Sequence, residues 1–215
     1  MLSNKIFVIG LPRTATTSLC QATLELGFTT AHTAYTNNSF DNAQVIADTP
    51  IFCDYPYFDQ QYPNAKFIYL ERSMDLWVTS IRQLLERMLH NLQRQDGGSN
   101  PMLRHCFNDI FHPLTAKNIA SDDFLIDCYQ RHQQGVMNYF CDRKSDLLCI
   151  DVSKEGSFSQ LTQFLGVKPS QDSINGFGHI NKGGKITAWK QIKNPLKVES
   201  TNKGKIERVL KGKKY

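Results

Sequence analysis

The stretch Lys5-Ile6-Phe7-Val8-Ile9-Gly10-Leu11-Pro12-Arg13-Thr14-Ala15-Thr16-Thr17-Ser18-Leu19 reads as a strand that passes through a tight turn into a helix. Residues 5 to 9 form an apolar, partly β-branched run of the kind found in buried parallel strands. From Ser18 to Gly27 the apolar residues Leu19, Ala22 and Leu26, with Thr23, recur at helical spacing. The turn between them faces the start of a helix. There the first backbone N–H groups lack intrahelical acceptors and the aligned peptide dipoles place about half a positive charge. Such a turn cradles an anion, and Thr14, Thr16, Thr17 and Ser18 add hydroxyl donors to it. The competing reading is a plain strand-to-helix turn whose hydroxyls are incidental.

Gly10 to Thr17 has the length of a Walker A loop, so the two compare position by position. A triphosphatase needs a Gly-Lys pair before the closing Ser or Thr: glycine lets the backbone approach, and lysine reaches the β- and γ-phosphates. Those positions are Ala15 and Thr16 here, and the only cation in the loop is Arg13. From that place a guanidinium reaches across a bound group and not along a triphosphate.

The chain has 215 residues, 40% of them hydrophobic, enough for one α/β domain with a sizeable core. The expected division is a domain over residues 1–190 and a basic tail over 191–215. No apolar run approaches the length of a membrane span, and the sequence enters the first strand almost at once, so the chain reads as cytoplasmic. Six cysteines are scattered without a C-x-x-C pair or zinc spacing, which favours reduced core thiols over disulfides or a metal site. The net charge of +5 is uneven. From Lys182 onward ten lysines and one arginine face two glutamates, a net +9 that leaves −4 for the first 181 residues. That tail either attracts polyanions or is a solvated basic terminus, and no specific nucleic-acid partner is read from it.

Residues 28–45 show no clear period and read as loop with short pieces of structure. A segment after a first βα unit commonly lines the ligand mouth of an open α/β sheet. His32 is therefore either a catalytic base or a polar loop residue. In Ala47-Asp48-Thr49-Pro50-Ile51-Phe52-Cys53-Asp54-Tyr55-Pro56 two carboxylates sit among prolines and aromatics, and the prolines favour a turn over a helix. A carboxylate against apolar walls accepts a proton near neutral pH, which makes Asp48 and Asp54 candidate bases. Asp48 equally suits the N-cap of a helix leading to Tyr62.

Asn64 to Leu70 reads as a second core strand, and Leu76 to Leu85 as an amphipathic helix. Arg72 then stands at a strand's carboxyl end and Ser80 about two turns into the next helix, so a guanidinium fork and a hydroxyl can hold one phosphate from two sides. Further on, residues 102–111 and 121–140 read as helices, with His132 on the apolar face as a core or rim histidine. Leu147 to Val152 is a third strand, and residues 156–166 are a helix stopped by Gly166. The fold expected is a three-layer α/β domain whose mostly parallel sheet carries helices on both faces.

Two motifs together resemble a known family. Pro12-Arg13-Thr14-Ala15-Thr16-Thr17 is similar to the 5′-phosphosulfate loop of sulfotransferases. Arg72 and Ser80, eight residues apart at a strand end and on the following helix, resemble that family's site for the donor's 3′-phosphate. The context from Tyr62 to Trp77 resembles the subgroup with arginine in the first loop, in which an Asp-x-Pro such as Asp48-Thr49-Pro50 precedes the second phosphate motif. Phe177 to Asn181 resembles the family's Phe-x-His-x-Asn stretch. Lys182-Gly183-Gly184, followed by Trp189-Lys190, is weakly similar to the glycine-rich loop that closes over the nucleotide.

The resemblance implies transfer of a sulfuryl group from 3′-phosphoadenosine 5′-phosphosulfate (PAPS) to a small-molecule or glycan acceptor, releasing adenosine 3′,5′-bisphosphate without a metal. It implies Arg13 as the cation beside the reacting group, with Thr14, Ala15, Thr16, Thr17 and Ser18 around the 5′ end of the donor. Arg72 and Ser80 take its 3′-phosphate, and Lys182 either touches the donor or belongs to the tail. The base is Asp48, then Asp54 or His32. Two other readings remain: a magnesium-dependent nucleotide kinase or triphosphatase, and a binding protein that keeps the cradle without transfer.

Overall fold

A computed structural model of the chain describes residues 5–94, 99–168, 176–177 and 188–215. Among the described residues five parallel strands form the sheet, in the order β2-β3-β1-β4-β5: β1 (Ile6–Val8), β2 (Thr30–Ala31), β3 (Val45–Ala47), β4 (Lys66–Leu70) and β5 (Leu147–Ile150). The helices are α1 (Thr16–Glu25), α2 (Asn37–Asn42), α3 (Ile51–Gln61), α4 (Met74–Gln93), α5 (Pro101–Ile110), α6 (Ala116–Ile119), α7 (Asp122–Tyr139) and α8 (Ser157–Leu165). The α/β fold with a parallel sheet and helices around it is as the sequence led us to expect.

Strand side chains alternate between two apolar layers. Phe7, Ile46, Phe67 and Tyr69 pack with Phe40, Tyr55, Phe58, Val136 and Phe140 of α2, α3 and the α7 region. Ile6, Val8, Val45, Ala47, Ile68 and Leu70 face the other way, onto Leu19 and Ala22 of α1 and Leu161 of α8. A third apolar cluster, around Trp77, Ile81, Leu85, Phe107, Phe111 and Tyr129, joins α4, α5 and α7 away from the sheet. Among the described residues no helix is long and apolar enough to cross a membrane.

The strand order places a switch point at the centre. β1 pairs with β3 on one side and β4 on the other, so the turns that leave the carboxyl ends of β1 and β4 open beside each other, where ligands of open α/β sheets bind. Gly10, just past β1, must be glycine at this point because a Cβ there would lie 2.6 Å from Leu70 Cβ and 2.7 Å from Thr14 Oγ1.

Three expectations are corrected. First, the segment after Pro50 is helical despite Pro56, with a kink at Asp54. A helical proline leaves the carbonyl four residues earlier without its donor. That carbonyl belongs to Phe52, and His132 Nε2 of α7 donates to it at 2.7 Å. The sequence separates the two by 80 residues, so only the fold shows how the proline is tolerated. Second, the helix is capped by Pro50 with no side-chain hydrogen bond, and Asp48 is not its N-cap. Third, the basic tail is not a free solvated terminus. Thr30 N donates to Leu196 O at 3.0 Å and Val198 N to Thr30 O at 2.9 Å, which pairs the tail with the β2 edge. The chain then closes in a short hairpin of β6 (Val209–Leu210) and β7 (Lys213–Lys214), with Leu210 buried in the core. A covered edge is protected from pairing with other chains.

His132 is buried, and burial pushes its ring pKa down to about 4. Replacing it with leucine leaves the Phe52 carbonyl buried without a donor, an expected loss of about 1–3 kcal/mol in denaturant unfolding. The unfolded chain binds the proton that the folded chain refuses. Native stability should therefore fall as pH drops from about 6.5 toward 4, and His132→Leu should flatten that part of the profile.

Candidate active site

The cradle forms from the turn after β1. Arg13 and Ala15 both adopt left-handed backbone conformations, with φ of 74° and 72°. The turn is held from inside: Thr14 Oγ1 donates to Leu11 O at 2.7 Å, and the indole of buried Trp77 on α4 donates to Pro12 O at 3.0 Å. Helix α1 then begins at Thr16, with Ala15 as an N-cap that supplies no side-chain bond. Its first ladder bond runs from Leu19 N to Ala15 O, so the amides of Thr16, Thr17 and Ser18 have no acceptor within the helix.

Both phosphate motifs converge here. Arg13 Nε donates to Ser80 Oγ at 2.7 Å, and Arg72 Nη1 donates to Arg13 O at 2.6 Å. Arg72 also presents its amide to Tyr129 OH at 3.2 Å, which fixes the turn after β4 against α7. Burial lowers the Arg13 pKa from its ordinary value, and the positive charges of Arg72 and Arg87 lower it further. Two guanidiniums beside an uncapped helix start are a destabilised set of positive charges, and an anion relieves it.

These groups line a cavity of about 480 Å³ together with His32, Asp48, Glu71, Asp151, Ser153, Leu76, Leu84 and Phe177. His32 Nε2 lies 3.2 Å from Thr16 Oγ1 and 3.0 Å from Thr17 Oγ1. Burial lowers the His32 pKa against the pull of Asp48, so the ring is neutral near pH 7 and its Nε2 can accept from either hydroxyl. Trp189 lies against its face, with ring centroids 5.5 Å apart. Asp48 follows β3 in a left-handed conformation with φ 57°. Its Oδ1 accepts from Thr49 N at 2.7 Å and Thr49 Oγ1 at 3.1 Å, and its residue borders the cavity.

The structure thus gathers Arg13, Ala15, Thr16, Thr17, Ser18, His32, Asp48, Arg72 and Ser80 at one cavity. Thr14 borders it too, but its hydroxyl is spent inside the loop. Asp54 does not join them. It is buried at 6% exposure, where its carboxylate accepts from Lys213 and, at 2.7 Å, from Tyr215 OH, with His105 Nε2 at 3.2 Å. Lys182 lies outside the described residues. The sequence reading did not single out Asp151 and Ser153, although both follow the carboxyl end of β5, the signal that would have found them.

A search of curated proteins returned no match. A family model described as a sulfotransferase domain matches residues 5–39 and 33–186, most of the chain and both phosphate motifs. The chain therefore belongs to the sulfotransferase domain family, a family of transferases.

Proposed function

We infer that the chain transfers a sulfuryl group from PAPS to a hydroxyl or amine of a small-molecule or glycan acceptor. The observation that carries this reading is the junction of Arg13, Arg72 and Ser80 beside the start of α1. It offers positive charge to two anionic groups of one ligand without the lysine a triphosphate needs. The residues fit that donor. The free amides of Thr16 to Ser18 and the hydroxyls of Thr16 and Thr17 suit its 5′ end, while Arg72 and Ser80 suit a 3′-phosphate. Leu76, 60% exposed, forms an apolar wall with Leu84 and Phe177 for a nucleobase or an acceptor.

In this reading Arg72 and Ser80 hold the donor so that the reacting atoms line up. Arg13 and the loop amides offset negative charge that grows on the leaving phosphate. Asp48 takes the acceptor's proton. Neutral His32, bonded to the threonine hydroxyls, orients them and is the alternative base.

Asp48→Asn should lower kcat/KM about 10²- to 10⁴-fold, the range for loss of a general base. Asp54→Asn, whose carboxylate serves the tail, should leave transfer within a few-fold of wild type. Labelled PAPS and a panel of hydroxyl and amine acceptors measure both. Full activity in Asp48→Asn would remove Asp48 as the base, and activity lost only in His32→Ala would transfer the role to His32.

A further inference from the structure

Away from the donor cavity, the first turn of α3 meets α5 through sulfur. Cys53 and Cys106 are both free thiols, and their Sγ atoms lie 2.6 Å apart. Both point toward the Pro50 carbonyl, at 3.6 and 3.8 Å. Cys106 is fully buried, whereas Cys53 is partly accessible. Next to them His105 Nε2 lies 3.2 Å from Asp54 Oδ1, with a ring nitrogen of His105 within 4.8 Å of Cys53 Sγ.

We propose that Cys53 and Cys106 are an oxidation site, a dithiol that hydroperoxides convert reversibly to a disulfide joining α3 to α5. Cys53 is the attacking residue because it is the more accessible, and Cys106 the resolving one because it is already in contact. Burial pushes the Cys53 thiol up and the neighbouring His105, itself held by Asp54, opposes that shift, so the step rests on the contact between the two sulfurs. Cys53 loses its proton to solvent and its thiolate faces the His105 imidazolium. The thiolate sulfur bonds to one peroxide oxygen as the O–O bond breaks. The departing hydroxide takes a proton from His105 and leaves as water. Cys106 sulfur then bonds to Cys53 sulfur and displaces the sulfenic hydroxyl as a second water. The Cys106 proton supplies that water through His105, and the solvent proton restores the imidazolium. In sum, two thiols and one hydroperoxide give one disulfide and two waters, or one water and an alcohol from an organic peroxide.

A metal is the rival occupant, since Cys53, Asp54 and His105 offer donor atoms within 4.8 Å of one another. Asp54 argues against it. His105 and Lys213 occupy its Oδ1 and Tyr215 its Oδ2, so a divalent cation must displace an ammonium group to enter.

The test treats the full chain, reduced and metal-free, with one equivalent of hydrogen peroxide. Remaining thiols are then alkylated under denaturing conditions and the peptides mapped by mass spectrometry. The expected result is a Cys53–Cys106 linked peptide, reversed by dithiothreitol, absent in Cys53→Ser and Cys106→Ser and unchanged in Cys141→Ser. A cross-link closing this loop should also raise Tm by about 5 °C or more in wild type and not in Cys53→Ser. Alkylation of both thiols after peroxide, or linkage through exposed Cys141, would overturn the proposal. So would one zinc ion per chain in the protein as purified, before metal removal, that protects both thiols without joining them. The wild-type peptide map decides the matter even if a serine variant fails to fold.

Discussion

Arg13→Ala should lower turnover about 10²- to 10³-fold, the range for removing one preorganised donor from a developing negative charge, while weakening the binding of adenosine 3′,5′-bisphosphate far less. The loop itself supports this separation. Arg72 is anchored on the Arg13 backbone carbonyl and not on its side chain, so alanine keeps the contact that orients Arg72. Trp77 and Thr14 hold the turn through backbone carbonyls of Pro12 and Leu11, which alanine also leaves alone. The substitution thus deletes one cation, and frees Ser80, without dismantling the cradle. Steady-state kinetics paired with calorimetry on the product read the two effects separately. Equal losses in turnover and affinity would reduce Arg13 to a binding residue.

Arg72→Ala should act in the opposite sense. Its guanidinium is the group placed at the end of β4, where a ligand's second phosphate is expected, and removing a charged partner from such a site costs about 100-fold in affinity. The loss should be specific: adenosine 3′,5′-bisphosphate weakens strongly, while adenosine 5′-phosphate, which lacks the 3′ group, weakens little. A equal loss for both ligands would mean that Arg72 only props the loop through the Arg13 carbonyl. Arg72→Lys separates charge from geometry, because lysine keeps the charge and cannot form the planar fork.

The parts of this site that were legible in the sequence are those whose geometry is local. Residues 5 to 19 could be read as strand, turn and helix because the anion cradle is built within one βα unit. Arg72 and Ser80 could be placed because a strand end and two helical turns fix their spacing. That Arg13 would meet Ser80 could not be read, since it depends on β1 and β4 being neighbours. β3 was not singled out as a strand because Val45 to Ala47 is too short, and too uniformly buried, to show alternation. The tail was misjudged because its lysines dominate the composition while Val198, Ile206, Leu210 and Tyr215 do the packing. Asp54 illustrates the same limit. Its neighbours Pro50 and Pro56 drew it toward the cavity, but a helical turn carries it toward residues 105, 213 and 215.

The central claim is that the cradle is built for a nucleotide bearing a 3′-phosphate and not for a triphosphate. Isothermal titration calorimetry of the wild-type chain with adenosine 3′,5′-bisphosphate and with ATP, each with and without magnesium, tests it most directly. The account predicts that the bisphosphate binds at least about tenfold more tightly than ATP, a difference of about 1.4 kcal/mol or more, with no requirement for magnesium. Tighter, magnesium-dependent binding of ATP would contradict it.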